Sequence, residues 1–337
     1  MRTSRTATAL LTACALALIA GCSGSGGKEA TDGGGTGEPG RAGGGGAPAT
    51  GERLKIAMVT HSGEGDTFWD IVQSGAKVAA RKDNADFLYA AHKEGKEQAQ
   101  LVQTYIDQKV DGIVVTLAKP EAVGAVVKKA VAAGIPVVTI NSGADFSRDL
   151  GALGHIGQDE TVAGEAVGEA LNERGRKKAL CVIHEQGNVS LEARCDGVRK
   201  TFGGTVENLH VEGTNMPQTT SSVEAKLQSA ASIDSVVTLG APFAAAAVKA
   251  KSGAGSRAEI STFDLNAEVV AQLKGGEIGF AVDQQPYLQG YLAVDQLWLH
   301  KVNRNVTGGG RPVLTGPALV TGKDVPALER LTREGTR

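Results

Sequence analysis

The residues best placed for chemistry follow directly on predicted strands. Asp66, Phe68 and Trp69 come after the strand ending at Thr60, and Asn141 and Ser142 after the strand ending at Ile140. In an open α/β sheet, positions at the carboxyl ends of strands face the ligand crevice. Asn141 either presents a planar amide to that crevice or serves as a turn-forming residue. Phe68 and Trp69 are consecutive on a helix and point about 100° apart, which frees one ring for the crevice while the other packs inward. Asp66 is either a polar contact to a bound molecule or the N-cap of that helix. Flat hydrogen-bonding groups beside aromatic faces suit binding better than bond-breaking.

Catalytic patterns are absent. Gly63 and Gly65 invite a dinucleotide reading, but the third glycine of G-x-G-x-x-G falls on Phe68, which removes the close helix–strand approach that the motif requires. Neither G-x-x-x-x-G-K-[ST] nor G-x-S-x-G occurs, and Gly322-Lys323 is a lone pair in a tail. His61, His92, His155 and His184 lack H-x-x-x-H spacing and read as structural histidines. No enzyme, metal or cofactor is expected. A formal net charge of -2 gives no reason to expect a nucleic-acid partner.

The elements that must position these residues alternate from Leu54 onward. Strands are predicted at 54–60, 87–91, 112–116 and 135–140, with helices at 67–82, 95–108 and 120–133 between them. A second series has strands at 153–157, 179–184, 205–211, 235–239 and 259–263, separated by helices at 161–173, 189–201, 219–230, 243–251 and 267–274. A strand near 279–282, a helix over 288–300 and a strand near Leu319 complete the chain. Continuous β-branched runs such as Val137–Ile140 suit parallel strands covered on both faces. So many strands would make an implausibly wide single sheet, so the expected fold class is α/β with two doubly wound Rossmann-like lobes.

Before Leu54 the composition differs. Arg2 and Arg5 precede an apolar run, Ala7 to Ala20, and Ile19-Ala20-Gly21-Cys22 has the small-residue pattern of a lipoprotein signal peptide. Residues 1–21 are expected to be removed and Cys22 lipidated, anchoring the protein to the extracytoplasmic face of the cell membrane. Residues 22–51 are glycine-dominated and cannot bury enough apolar area to offset chain entropy. They are read as a disordered tether.

Three phrases, L-K-I-A-M-V-T-H-S-G-E-G-D-T-F-W, D-G-I-V-V-T-L-A-K-P-E-A-V and G-I-P-V-V-T-I-N-S-G, resemble the N-terminal lobe of ribose-binding-protein-type (periplasmic binding protein, type I) solute receptors. I-S-T-F-D-L and V-D-Q-Q-P-Y-L-Q-G-Y resemble the cleft-closing segments of that family. The resemblance runs from Leu54 to the C-terminus. It implies two lobes joined by a three-segment hinge, with crossings near 157–159, 284–286 and 316–317. The N-terminal lobe is then 52–157 plus 285–316, and the C-terminal lobe 158–284 plus 317–337. It also implies a monomer that delivers a sugar or polyol to an ABC transporter permease. The alternative is a sensing receptor of the same fold that feeds a membrane signalling protein.

The resemblance also extends the site. It sets Phe68 and Trp69 against the sugar face, and matches Arg194 in S-L-E-A-R-C-D-G, Asp264 after the strand I-S-T-F, and Gln284 to cleft residues. Two of these have a plainer reading: a surface ion pair of Arg194 with Glu185 or Glu192, and Asp264 as an N-cap for the helix from Ala267. Losing Arg194 or Asp264 is expected to abolish binding without changing the melting of the empty protein. Asn141 and Ser142 stand where ribose-type receptors carry an aspartate and an arginine, which argues against simple ribose. Gly240-Ala241-Pro242 replaces a segment where the family often has Asn, leaving Phe243 to fill the space. Cys181 and Cys195 are either bridged, as an oxidising compartment allows, or ordinary buried thiols.

Overall fold

The computed structural model describes residues 53–63 and 66–337. The signal peptide, Cys22 and the glycine-rich tether inferred above lie outside the described residues. Among those described, no helix is long and apolar enough to cross a membrane.

The chain first builds β1 (Lys55–Thr60), α1 (Thr67–Lys82), β2 (Asp86–Ala91), α2 (Gly95–Asp107), β3 (Gly112–Thr116), α3 (Pro120–Ala132), β4 (Val137–Ile140), α4 (Ala144–Ser147) and β5 (Gly154–Gly157). It continues with α5 (Glu160–Glu173), β6 (Lys178–Ile183), α6 (Val189–Thr201), β7 (Thr205–His210), α7 (Met216–Ser229) and β8 (Ser235–Thr238). Next come α8 (Ala241–Gly253), β9 (Glu259–Phe263), α9 (Ala267–Gly275), β10 (Ile278–Asp283) and α10 (Pro286–Asn303). The last elements are β11 (Val313–Leu314), β12 (Ala318–Val320) and α11 (Val325–Arg333).

Two six-stranded sheets result, ordered β11-β5-β4-β3-β1-β2 and β12-β10-β9-β8-β6-β7. The strand order is the same in both sheets, so the lobes share one topology except at the last strand, where β11 runs parallel to β5 and β12 antiparallel to β10. The chain passes from the first sheet to the second after β5, returns after β10 so that α10 packs on α1, and passes over again between β11 and β12. Apolar clusters cover both faces of each sheet, as parallel strands require.

Several sequence expectations need correction. The strand near Leu319 is antiparallel to β10, and β2 and β7 are half-buried because they lie at sheet edges. Helix α7 starts earlier than expected: Asn215 accepts from the Gln218 amide at 3.1 Å, and Pro217 occupies the first turn. The tail around Lys323 leads into α11, whose Val325 and Leu328 are buried in the core shared with α9.

Glycines set the helix pairs that carry the two walls of the cleft. A Cβ on Gly75 would lie 2.0 Å from the Tyr287 carbonyl oxygen, and one on Gly290 would lie 1.9 Å from that of Val72. The second lobe repeats the arrangement: Gly164 faces the Arg194 carbonyl oxygen at 2.1 Å and Gly197 that of Thr161 at 2.2 Å. Only a residue without a side chain allows backbones this close.

Candidate functional site

The first wall is built on the β1–α1 turn. Asp66 caps α1 by accepting from the Phe68 amide at 3.1 Å, which fixes where Phe68 and Trp69 leave the helix. Their rings meet edge-on with centroids 5.0 Å apart. His61 abuts Trp69 at 5.0 Å and is held by the Thr116 hydroxyl, 2.9 Å from Nδ1. Burial lowers the His61 pKa, so the ring is neutral at neutral pH. Phe68 and Trp69 belong to the core as well as to the cleft surface. Asp66 likewise fills both roles considered for it, since it caps the helix and lines the cleft. Its burial raises its pKa to about 6, against the lowering effect of the Phe68 amide and the Trp69 side chain.

Asn141 and Asp264 occupy matching positions just past β4 and β9. Both have left-handed backbones, with φ of 63° and 67°, an uncommon and costly conformation for residues with a Cβ. The extra amide bonds, Asn141 N to Ile156 O at 3.0 Å and Asp264 N to Val282 O at 2.8 Å, hold these turns in place. Their side chains join through Gln284: the Asn141 amide donates to Gln284 Oε1 at 3.1 Å, and Gln284 Nε2 donates to Asp264 Oδ1 at 2.7 Å. Ser142 donates to Asn141 Oδ1 at 2.8 Å. This row of polar groups crosses the hinge, with Gln284 between the lobes.

On the second wall Arg194 is buried, and its partner is one the sequence reading missed. Glu160, the first residue of α5, accepts from Nε at 2.6 Å and from Nη2 at 2.9 Å. Arg194 Nη1 donates to the Leu239 carbonyl at 2.9 Å, and the guanidinium lies 4.6 Å from the Phe263 ring centroid. The surface pair with Glu185 or Glu192 is therefore incorrect, because the α5–α6 packing brings Glu160 to Arg194 instead. Nor does Arg194 stand apart from stability. Its loss would strand a buried carboxylate, so the expectation that removing it spares the empty fold is withdrawn.

Asp264 is not the cap of α9; Asn266 is, accepting from the Val269 amide at 2.8 Å. Burial raises the Asp264 pKa to about 7, while Arg194 and the Gln284 hydrogen bond work in the opposite direction. Phe243 stacks on His184 with centroids 3.9 Å apart and lines the space beside Gly240. Cys181 and Cys195 are joined as a disulfide, 6.0 Å between Cα atoms, which ties α6 to β6 behind Arg194.

One cavity of about 750 Å³ is lined by Asp66, Phe68, Trp69, Asn141, Arg194, Asp264 and Gln284. This volume lies within the usual range for small-molecule sites. The lobes touch at its mouth. The Val189 amide donates to the Ala118 carbonyl at 3.1 Å, Asn188 Nδ2 lies 3.4 Å from His61 Nε2, and Lys119 pairs with Glu185 at 3.2 Å. Glu160, His184, Lys119 and Glu185 carry no local sequence signal for these contacts. They meet their partners only through the folding of distant segments.

Residues 56–304 match the family described as the periplasmic binding protein domain. The chain belongs to the periplasmic binding protein family. A solved member, a carbohydrate transporter from Acidothermus cellulolyticus in complex with myo-inositol, is 47% identical with a TM-score of 0.84, covering 85% of this chain and all (100%) of that one. The xylose/arabinose-binding protein XylF of Sulfolobus acidocaldarius is 26% identical over 222 residues, 60% of this chain and about half (54%) of its own length. The ribose import binding protein RbsB of Bacillus subtilis is 24% identical over 234 residues, 68% of this chain and 75% of its own. In this family the lobes are bodies that close on a solute. The cavity between them is the place to seek one.

Proposed function

We propose that the chain is the sugar-binding component of an ABC importer and that its solute is a monosaccharide-sized ring, with cyclic polyols foremost. The observation that carries this is the shared cavity: aromatic rings on both walls, and a row of planar amide and carboxyl groups along the hinge. Ring hydroxyls donate and accept at once, which such groups match in pairs, while C–H faces pack on aromatics. The Acidothermus neighbour, in complex with myo-inositol, supports the cyclic polyol within this class. Asn141 and Ser142, in place of a charged pair, speak against simple ribose. A sensing receptor is not favoured, because the relatives are named for import and transport.

In this reading the ligand-binding residues are Asp66, Phe68, Trp69, Asn141, Arg194, Asp264 and Gln284. The moving bodies are 52–157 plus 285–316 and 158–284 plus 317–337. The protein works as a monomer, tethered through lipid on Cys22 at the extracytoplasmic face of the membrane, and hands its solute to the permease. The family consists of binding proteins, and no reaction is assigned to the cleft.

The test is calorimetric titration with myo-inositol, other cyclitols, hexoses and pentoses, followed in parallel by Trp69 emission. Heat and an emission shift are expected with at least one ring polyol. Silence across the panel, with the protein folded, would overturn the proposal.

A further inference from the structure

The charges around the cavity are unevenly matched. Arg194 is forked onto Glu160 at 2.6 and 2.9 Å. Lys119 pairs with Glu185 at 3.2 Å, and Lys93 sits 3.9 Å from Glu212. Among the described residues these are the lysine and arginine side chains on the cavity wall, and each already has its own carboxylate. His61 and His184 are held neutral by burial, which lowers both pKa values.

Two carboxyls on the cavity wall remain without a cation of their own, the partly buried Asp66 from the first lobe and the buried Asp264 from the second. Asp264 accepts from Gln284 Nε2 on Oδ1 at 2.7 Å and lines the cavity. The field of Arg194 reaches Asp264, but Glu160 and Asp66 oppose it. Glu94 at the rim adds further negative charge.

Resting on the polyol reading above, we infer that the cleft is built for a ring polyol bearing a protonated amine, an aminocyclitol or amino sugar, in preference to its neutral analogue. An ammonium between Asp66 and Asp264 supplies the missing counter-charge in a site where solvent screens poorly. The aromatic rings of Trp69, Phe68 and Phe243 on the cavity wall favour a cation as well. The same field disfavours phosphorylated and carboxylated sugars. Burial raises the pKa values of both carboxyls, and binding an ammonium would draw both down.

The experiment compares matched probes by calorimetry at neutral pH: myo-inositol against a monoamino inositol, and D-glucose against D-glucosamine. The amine is expected to bind tighter by about tenfold or more, as one close charge pair in a poorly solvated site allows. Asp66→Asn and Asp264→Asn are expected to shrink that ratio. Neutral polyols binding as tightly as their amines would overturn the inference and leave the polyol reading standing. An amine preference unchanged in both variants would overturn the assignment to these carboxyls. If neither member of either pair binds, the inference falls, while the polyol reading is decided by the wider panel.

Discussion

Asp264 shows how one residue couples recognition to stability. Its pKa in the folded protein, raised by burial to about 7, lies above the ordinary value of 3.8. The folded state therefore holds a proton that the unfolded chain releases. The stabilisation associated with this proton is complete below pH 4 and is lost as pH rises through about 7. Asp66 acts in the same direction up to about pH 6. His155 and His184 act oppositely, since burial lowers their pKa values to about 4 and 3, and their effect is lost as pH falls below 6.5. Asp264→Asn is expected to flatten the fall in stability of the empty protein between pH 4 and 7. Urea titrations across that range measure it, and an unchanged slope would show that Asp264 is not the source.

At the scale of elements, the site is held by helix pairs that meet through glycine. Arg194 projects from α6, and α6 can approach α5 only because Gly164 and Gly197 lack side chains: a Cβ on either would lie 2.1 or 2.2 Å from a backbone carbonyl oxygen. A methyl group at Gly197 forces the helices apart and strains the fork of Arg194 on Glu160. Gly197→Ala is expected to cost about 1–3 kcal/mol, the usual range for overpacking, and to weaken ligand binding as well. Chemical denaturation and calorimetry on the same variant check both effects. Wild-type stability would show that the pair has room to spare. The disulfide between Cys181 and Cys195 secures the same region from behind, tying the second turn of α6 to the middle of β6.

For the whole molecule, the relevant equilibrium is between open and closed lobes. Contacts at the mouth, among them the Lys119–Glu185 pair, exist only while the lobes are together and so favour closure. These side chains are partly exposed, which limits such a pair to about 0–1 kcal/mol. Lys119→Ala is accordingly expected to raise the Kd by a factor of about five or less, mainly through faster dissociation, as is usual for contacts formed after encounter. Stopped-flow fluorescence from Trp69 separates the two rates. A loss confined to association would identify Lys119 as a steering charge instead.

Much of the architecture was legible beforehand, because apolar runs and caps are local signals. The alternation of strands and helices, the cap at Asp66 and the turn at Asn141 all arise from neighbouring residues. The antiparallel β12, the partner of Arg194 and the Phe243–His184 stack do not, because each depends on segments far apart in the chain. The amino-acid order alone determined the element types, the need for two sheets and the candidate wall residues, since burial periodicity and turn chemistry act over a few residues. Only the tertiary structure decided which charges are neutralised. Pairing depends on distances between lobes and helices, and it leaves Asp66 and Asp264 facing one cavity without a cation of their own.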